Sequence, residues 1–197
     1  CCLVGSEMCI RDSISNMNKE YEFTVTWGIQ TTTDDAEGEI LFESSYLPKR
    51  KEIEKKIINY IGFTSQIPPK VSAVRINGKR AYKLFRENKK FTIQPKKVFI
   101  EDLCITDHSI NKTSFKILCG QGFYVRSLAR DLAIDLKTYG HISSLKRSKV
   151  GKFSEKNSIL LDDLLKIGQT HEEINCISTS ISMLDDILAY EIEEKLD

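Results

Sequence analysis

The stretch GQGFYVRSLARDL, residues 120–132, runs a glycine-rich turn directly into the clearest helix of the chain. Apolar residues continue with the spacing i, i+3, i+4, i+7, i+8 and i+11 as far as Leu136, which predicts an amphipathic helix over residues 125–136. Arg126 falls in its first turn, where the helix dipole disfavours a cation by about 0.3–1 kcal/mol. This position indicates either an anion held opposite Arg126 or an ordinary surface arginine.

Upstream of this helix, two strand patterns precede a second helix pattern. Alternating apolar residues predict a half-buried β-strand over residues 21–29, and a shorter strand is expected near residues 39–43. Isoleucines at every fourth position predict a helix over residues 49–61 that ends at Gly62.

Shorter elements occupy the rest of the chain. We expect a strand over 71–76, a tight turn at Asn77-Gly78, a helix over 80–88, antiparallel strands over 98–106 and 114–119, a basic extended segment over 144–153, and helix or strand candidates over 160–167 and 182–188. Strands and helices do not alternate as βαβ units, so the predicted class is α+β.

Charge is distributed unevenly along the 197 residues, although the net charge is only +1. Residues 1–69 have a net charge of −4, residues 70–156 carry 20 basic and seven acidic side chains for a net +13, and residues 157–197 have −8. A strongly positive central block predicts a polyanionic partner, with a solvated lysine-rich surface as the alternative.

The most basic part of this block is the stretch over residues 67–95, called here the basic segment, in which cations and aromatic residues interleave. Cations can neutralise phosphates while aromatic rings stack on bases, although the rings could equally pack inward. The candidate RNA-binding residues are Lys70, Arg75, Lys79, Arg80, Tyr82, Lys83 and Arg86, together with Arg147 from the basic extended segment.

Other classes of protein are disfavoured by the sequence. No run of about 18 apolar residues predicts a membrane span, and the N-terminus lacks a signal-peptide layout, so a cytoplasmic location is expected. Six cysteines without CxxC spacing do not predict a disulfide framework or a zinc site, which leaves reduced thiols, some of them buried. Residues 1–13 show neither the apolar repeat of a helix nor the alternation of a strand. They are interpreted as a non-native leader of adapter or vector origin.

Four ordered motifs over roughly residues 17–165 resemble those of TruB-type tRNA pseudouridine synthases. They are KEY at 19–21 followed by TxTxDxxG at 31–38, PPxxSAxxxNGxRAYxL at 68–84, GxYVRSLARDL at 122–132, and GHxxxLxRxxVGxF at 140–153. The resemblance implies a mixed, largely antiparallel sheet with flanking helices, forming an incomplete pseudouridine synthase catalytic domain over residues 14–170. Residues 177–197 resemble the beginning of a PUA-like RNA-binding domain.

The resemblance also implies a function, namely conversion of the T-loop uridine of tRNA to pseudouridine by an aspartate that acts on a flipped base. It implies that Tyr21 stacks on the target base and supports proton transfer, and that Arg126 pairs with the catalytic carboxylate. Tyr124 and Leu145 would form the base pocket. The implied partner is tRNA, bound through its T-arm by a monomer that needs no metal or organic cofactor.

One departure from the family pattern affects the expected activity. The nucleophilic aspartate of the family lies in a GxLDP-type motif upstream of the tyrosine strand, and no such motif precedes Tyr21 here. We therefore expect an N-terminally truncated fragment that is inactive by itself. Asp34 and Asp35 follow Tyr21 and fit a turn, so neither catalysis nor a metal site with Glu37 is expected of them. The alternatives are a non-catalytic tRNA-binding or RNA-chaperone module and a basic ribosome-associated protein.

Overall fold

The computed structural model describes residues 14–155 together with Ser158 and Leu160. The chain divides into two compact units, Asn18–Ser148 on the one hand and Cys1–Met17 with Lys149–Asp197 on the other. The predicted leader, the helix or strand candidates beyond Leu160, and the predicted PUA-like start lie outside the described residues. In the part of the chain that the structure describes, no helix has the length and apolar character needed to cross a lipid bilayer.

The described elements follow one another as strands with three helices between them. In chain order they are β1 (Lys19–Trp27), β2 (Ile29–Thr31), β3 (Ile40–Glu43), α1 (Arg50–Ile57) with a 3₁₀ turn over Ile58–Tyr60, β4 (Gly62–Gln66), β5 (Arg75–Ile76), β6 (Lys79–Arg80), α2 (Ala81–Arg86), β7 (Lys96–His108), β8 (Lys112–Cys119), α3 (Val125–Asp135), β9 (Gly140–Val150) and β10 (Phe153–Ser154).

The main sheet of the larger unit has the strand order β9-β1-β8-β7-β4. The pairs β1–β8, β7–β8 and β4–β7 are antiparallel, whereas β2–β3 and β5–β6 form separate two-stranded hairpins. In the smaller unit, β10 pairs antiparallel with the end of β9 at Lys149 and Val150. The predicted α+β class with a largely antiparallel sheet is therefore confirmed.

The core lies between one face of this sheet and the helices α1 and α3. Strand β1 alternates as predicted and buries Phe23, Val25 and Trp27, while β8 buries Phe115 and Ile117. The helices cover this face with Ile53, Ile57, Leu128, Ala129 and Leu132. The Trp27 Nε1–H group donates to Thr113 Oγ1 at 2.8 Å, so the buried indole retains a hydrogen-bond partner.

Three predicted boundaries were wrong, because backbone conformation interrupts patterns that continue in the sequence. Strand β1 ends at Trp27, since Gly28 has φ +90° and a Cβ there would lie 2.9 Å from the backbone oxygen of Ser44. Helix α1 ends at Ile57, and Gly62, the predicted helix stop, instead begins strand β4 at φ +95°. Of the strand expected over 71–76, only Arg75–Ile76 forms a β-strand, which pairs with Lys79–Arg80.

Other local predictions were confirmed. Asn77 and Gly78 form the tight turn between β5 and β6, both with positive φ (49° and 80°) as a two-residue hairpin turn requires. The helix expected over residues 80–88 is present as α2, one to two residues shorter at each end. Helix α3 matches its predicted span to within one residue.

Candidate functional site

The first turn of α3 is fixed to the end of β4 by a glutamine side chain. Tyr124 is the N-cap residue of α3, and its own side chain makes no capping hydrogen bond. Instead, its backbone N–H donates to Gln66 Oε1 at 2.9 Å, and its carbonyl accepts from Gln66 Nε2 at 3.1 Å. Gln66 is only 4% exposed, so this paired bond holds α3 in place next to the sheet. No pattern around Gln66 in the sequence predicts this role.

Arg126 makes three described hydrogen bonds on the inner side of this turn. Its Nη1 atom donates to Asp35 Oδ2 at 2.9 Å and to the backbone oxygen of Thr33 at 3.2 Å, while Nη2 donates to the backbone oxygen of Val71 at 2.9 Å. The side chains of Arg126 and Asp35 are 23% and 25% exposed. An anion therefore does lie opposite Arg126, and it is the carboxylate of Asp35.

Asp35 belongs to a tightly bonded turn over residues 31–38, called here the Asp loop. Its Oδ1 atom accepts from Thr33 Oγ1 at 2.5 Å and from the backbone N–H of Glu37 at 3.2 Å. The backbone oxygen of Asp35 accepts from Thr31 Oγ1 at 2.6 Å. Both carboxylate oxygens are thus occupied by donors, and the position of Asp35 is well defined.

Arg130 repeats this arrangement one helical turn later. Its Nη1 atom lies 3.3 Å from Asp34 Oδ2, and its Nη2 atom donates to the backbone oxygen of Ile67 at 2.8 Å. A third contact pairs Arg130 with the neighbouring Asp131 at 3.0 Å. Burial raises the pKa of Asp34 above its ordinary value, against the opposing effect of Arg130 and Arg126, and burial likewise raises the pKa of Asp131.

A pocket of about 390 Å³ opens beside the Asp loop. Its lining residues are Asp35, Ala36, Glu37, Arg126, Ile142, Ser143, Ser144 and Leu145. The backbone N–H of Ile142 donates to the carbonyl of Asp34 at 3.1 Å, so β9 and the Asp loop form two adjoining walls. The pocket brings together Arg126 and Leu145, two of the four residues assigned to the reacting site from the sequence.

The other two assigned residues lie elsewhere in the larger unit and do not line this pocket. Tyr21 is half-buried on β1 and lies near Arg147 on β9. Burial raises the pKa of the Tyr21 phenol, while the nearby Arg147 guanidinium opposes that rise. Tyr124 contributes its backbone to the Gln66 contact described above. Arg147, expected to contact RNA, therefore lies beside the tyrosine.

The basic segment presents its cations to solvent. Lys70, Arg75, Lys79, Arg80, Lys83 and Arg86 are all exposed, and Tyr82 is half-buried. The guanidinium of Arg86 lies 5.7 Å from the centre of the Tyr82 ring, a cation–π contact. Backbone hydrogen bonds from Ala81 to Val74 and from Tyr82 to Ser72 fold the β5–β6 hairpin onto the start of α2. A second pocket of about 280 Å³ is lined by Lys70, Phe85, Asn88, Lys89, Lys90 and Phe91.

The described cysteines and the possible metal ligands offer no further candidate site in the part of the chain that the structure describes. Cys104 is exposed and Cys119 is buried, and both are free thiols, as expected. Burial raises the pKa of the Cys119 thiol to about 12, which makes it unreactive. Within residues 14–155, no group of three or more His, Cys, Asp or Glu side chains is arranged to hold a metal ion.

Solved structures share the fold at low sequence identity. A chain in the crystal structure of a Cbf5-Nop10-Gar1 complex superposes with a TM-score of 0.60 at 19% identity, covering 84% of this chain and 40% of that one. A chain in a structure of an H/ACA RNP bound to a substrate RNA containing 2′-deoxyuridine gives a TM-score of 0.57 at 15% identity, covering 84% and 40%.

Sequence relatives are considerably closer. The tRNA pseudouridine synthase B of Wolbachia pipientis subsp. Culex pipiens (strain wPip) is 43% identical over 162 residues, which covers 81% of this chain and 46% of that protein. The tRNA pseudouridine synthase B of Ehrlichia ruminantium (strain Gardel) is 41% identical over 180 residues, covering 87% and 61%. The chain thus spans about half the length of the curated relatives it matches.

Family models cover most of the chain. Residues 126–189 match the tRNA pseudouridylate synthase B C-terminal domain, and residues 1–125 match the N-terminal domain of the TruB family pseudouridylate synthases. Because the latter match alone extends over more than half of the sequence, the chain belongs to the TruB family.

Proposed function

We propose that this protein converts the T-loop uridine of tRNA to pseudouridine, and that the basic segment holds the T-arm while the pocket beside the Asp loop receives the flipped base. The observation that carries the proposal is the position of Arg126. It lines a pocket with Leu145, is fixed by Asp35, and shares helix α3 with residues that hold the start of the basic segment. Family membership and the names of the relatives support the same reaction.

The reaction is an isomerisation, so no atoms are gained or lost, and the proposal includes no cofactor. The C1′–N1 bond of uridine breaks, a C1′–C5 bond forms, the proton on C5 leaves, and N1 takes up a proton. An enzyme of this kind has to unstack the base, exclude water and orient a carboxylate. The residues around the pocket are suited to these tasks.

Arg126 is the residue to which we assign the orientation of the reacting carboxylate. Its described bonds use three of the five N–H donors of a guanidinium, and the other two could bind a second anion. Asp35 has both oxygens occupied by donors, which suits it to holding Arg126 rather than to attacking the nucleotide. The second anion would be the catalytic aspartate of the family, whose GxLDP-type motif does not precede Tyr21 in this sequence.

Leu145 is assigned to the base itself, and the family resemblance assigns Tyr21 and Tyr124 to it as well, although neither of the two tyrosines lines the pocket. Tyr21 has a half-buried aromatic ring that lies near the Arg147 guanidinium. Stacking on the target base would extend this surface. Leu145, 48% exposed, supplies an apolar wall of the pocket, and burying it under a base would remove that side chain from water. Because the substrate is tRNA, we assign the protein to the cytoplasm, where it would act as a monomer.

Release of tritium from tRNA labelled at C5 of uridine tests the proposal directly, because the C5 hydrogen is lost in the reaction. Since the chain spans about half the length of its relatives, the assay compares the 197-residue chain with a chimaera in which the Wolbachia relative supplies the parts of its sequence outside the match. We expect one tritium released per tRNA by the chimaera, and none from tRNA whose T-loop uridine is replaced by cytidine. Release that is indifferent to this replacement would contradict the T-loop assignment.

A non-catalytic tRNA-binding module is the second candidate. It is favoured by the solvent exposure of the cations in the basic segment, because RNA binding alone would account for these exposed cations. It predicts tight binding of tRNA by the chimaera without tritium release. The two functions are therefore separated by measuring binding and release on the same preparation.

A further inference from the structure

An aromatic pair with one exposed and one half-buried ring lies on the two strands that carry the basic segment. Phe63 on β4 and Phe99 on β7 are direct partners in the antiparallel register, with ring centres 5.0 Å apart and ring planes tilted by 51°. Phe63 is 71% exposed, and the ammonium nitrogen of Lys97 lies 4.4 Å from the centre of its ring. Phe63, Phe99 and Lys97 are called here the aromatic patch.

This patch faces away from the core. On β7, Val98 and Ile100 point into the core with 4% and 0% exposure, so Phe99 between them points to the opposite face. Strand β4 is at the edge of the sheet, which leaves Phe63 open to solvent on that face. A single exposed apolar residue would need no explanation, but a contacting aromatic pair with a lysine over one ring combines the chemical groups that bind unpaired bases.

The position of the patch relative to the basic segment is fixed by strand register. Gln66 at the end of β4 pairs with Lys96 at the start of β7, and residues 67–95 leave and return at this pair. Phe63 and Phe99 are each three residues farther from the basic segment, a distance of about 10 Å along the strands. Nucleotides flanking an RNA stem held by the basic segment could therefore reach the patch.

We propose that the aromatic patch is a stacking site for one unpaired nucleotide of the RNA that the basic segment holds. The base would lie on the Phe63 ring, with Phe99 supporting that ring from the neighbouring strand, while the Lys97 ammonium group would contact the adjoining phosphate. Glu101 is the nearest acid along β7, and its carboxylate accepts a hydrogen bond from Asn18 Nδ2 at 2.6 Å. The proposal rests on the proposed function only in taking RNA as the ligand.

The test measures binding of the 197-residue chain to three labelled RNAs that share one T-arm stem-loop, by fluorescence anisotropy at one fixed salt concentration. One RNA is blunt, one has unpaired nucleotides at its 5′ end, and one has them at its 3′ end. We expect Phe63→Leu to weaken binding of at least one extended RNA about fivefold or more, as loss of aromatic stacking does. The affinity for the blunt RNA should change less than twofold. Phe63→Tyr, which keeps an aromatic ring, should bind the extended RNA as tightly as the unaltered chain does.

The matched control is Ile110→Ala, which removes a side chain that is 83% exposed at the β7–β8 turn. It should leave all three affinities unchanged, and the thermal unfolding midpoint of each variant shows whether it is folded. Equal weakening of all three RNAs by Phe63→Leu, or no weakening of any, would overturn the stacking site. Unchanged binding of all three RNAs by Phe63→Leu would indicate that the ring serves as an apolar contact, such as one with a protein.

A Lys79→Ala/Arg80→Ala double variant separates this proposal from the proposed function. If the double variant weakens binding of every RNA while Phe63→Leu changes none, only the stacking site is wrong. If Phe63→Leu acts selectively but the double variant has no effect, the stacking site stands and the role of the basic segment is wrong. If the unaltered chain binds none of the RNAs, both proposals are overturned.

Discussion

Ser127 Oγ donates a 2.7 Å hydrogen bond to the backbone oxygen of Ile67, the first residue of the basic segment. The same oxygen accepts from Arg130 Nη2 at 2.8 Å, and Arg126 reaches the carbonyl of Val71 four residues later. Arg126 and Arg130, which are neighbours on one face of α3, also hold the two aspartates of the Asp loop. A displacement of the start of the basic segment therefore strains bonds made by Arg126, which lines the pocket.

Replacing Arg126 by lysine keeps the positive charge but removes the planar fork that reaches Thr33, Asp35 and Val71 together. We expect turnover of the chimaera in the tritium assay to fall by about 10²-fold, because a catalytic group displaced by about 1 Å loses about that much rate. RNA affinity should change less than threefold. Arg50→Lys is the control, since Arg50 is exposed on α1 and pairs with Glu54. Near-normal turnover of the Arg126 variant would remove Arg126 from its assigned role.

Replacing Ser127 by alanine tests the bond to Ile67. Ser127 is fully buried, so the loss of its hydrogen bond should reduce the free energy of unfolding by about 1 kcal/mol in urea titrations. Because the bond fixes the start of the basic segment, limited proteolysis within residues 67–95 should also become faster. Ser109→Ala removes an exposed hydroxyl that donates to Lys112 at 3.3 Å and should change neither quantity. Unchanged proteolysis in a destabilised Ser127 variant would contradict the anchoring role.

The acid–base behaviour of Asp34 gives a prediction with a defined sign. Burial raises its pKa above the ordinary value of 3.8, so the folded chain binds this proton more tightly than the unfolded chain does. The contribution of the protonated Asp34 carboxyl to the free energy of unfolding is thus fully present below pH 3.8. It is lost as the pH rises through the raised pKa. Asp34→Asn removes the titration and retains a residue that tolerates the positive φ of 61°.

Urea unfolding at a series of pH values should accordingly show the stability of Asp34→Asn rising relative to the unaltered chain as the pH increases from about the ordinary carboxyl pKa. Asp131, whose pKa burial also raises, is present in both proteins, and its charge contributes to the raised pKa of Asp34. Asp34→Ala should be about 1–2 kcal/mol less stable than Asp34→Asn at every pH, because alanine is strained at this φ. A relative stability that falls with pH would mean that the ion pair with Arg130 outweighs the burial of the carboxylate.

Local patterns in the sequence were sufficient for those elements whose formation depends mainly on neighbouring residues. The apolar repeat of α3 and the Asn77-Gly78 turn are encoded within a few residues, and both are present. Strand β4 was missed because it follows a helix pattern without a break and alternates an exposed Phe63 with partly polar neighbours. Its pairing with β7, more than 30 residues away, makes it a strand, and no local signal reports that contact.

The contacts of the candidate site also join residues that are distant in the sequence, so local patterns did not predict them. The first-turn position of Arg126 was compatible with an opposing anion or with an ordinary surface arginine, and the anion that is present, Asp35, lies 91 residues earlier in the chain. Gln66 and Tyr124 are 58 residues apart, and nothing in the composition around Gln66 marks it as the cap of a helix. Such contacts depend on how the sheet and α3 come together. They can be read only from the folded chain.

The salt dependence of RNA binding tests whether individual cations of the basic segment contact phosphates. Lys79→Ala should weaken binding about equally for all tRNA sequences and lower the slope of log affinity against log salt concentration by about 0.7–0.9, the value for one phosphate contact. Lys55→Ala on α1, which removes an exposed lysine outside the basic segment, is the control. An unchanged slope for Lys79→Ala would assign Lys79 to the solvated surface.

The buried contact between Trp27 and Thr113 predicts the largest stability loss from the removal of a single hydroxyl. Thr113 is 0% exposed, and its Oγ1 atom is 2.8 Å from Trp27 Nε1 and 2.9 Å from His108 Nδ1. Thr113→Val preserves the shape but leaves the indole N–H without an acceptor in the core, which should lower the free energy of unfolding by about 1–3 kcal/mol.

Thr24→Val is the matched control for this variant, because Thr24 lies on the same strand as Trp27 but pairs with Ser114 on the partly exposed face at 2.9 Å. Water can replace that partner, so the control should lose less than about 0.5 kcal/mol in the same urea titration. Equal losses in the two variants would mean that the Thr113 hydroxyl contributes no more than an exposed one. The indole would then be held by packing alone, through its close approach to Gly140, where a Cβ would lie 3.1 Å from Trp27 Cε3.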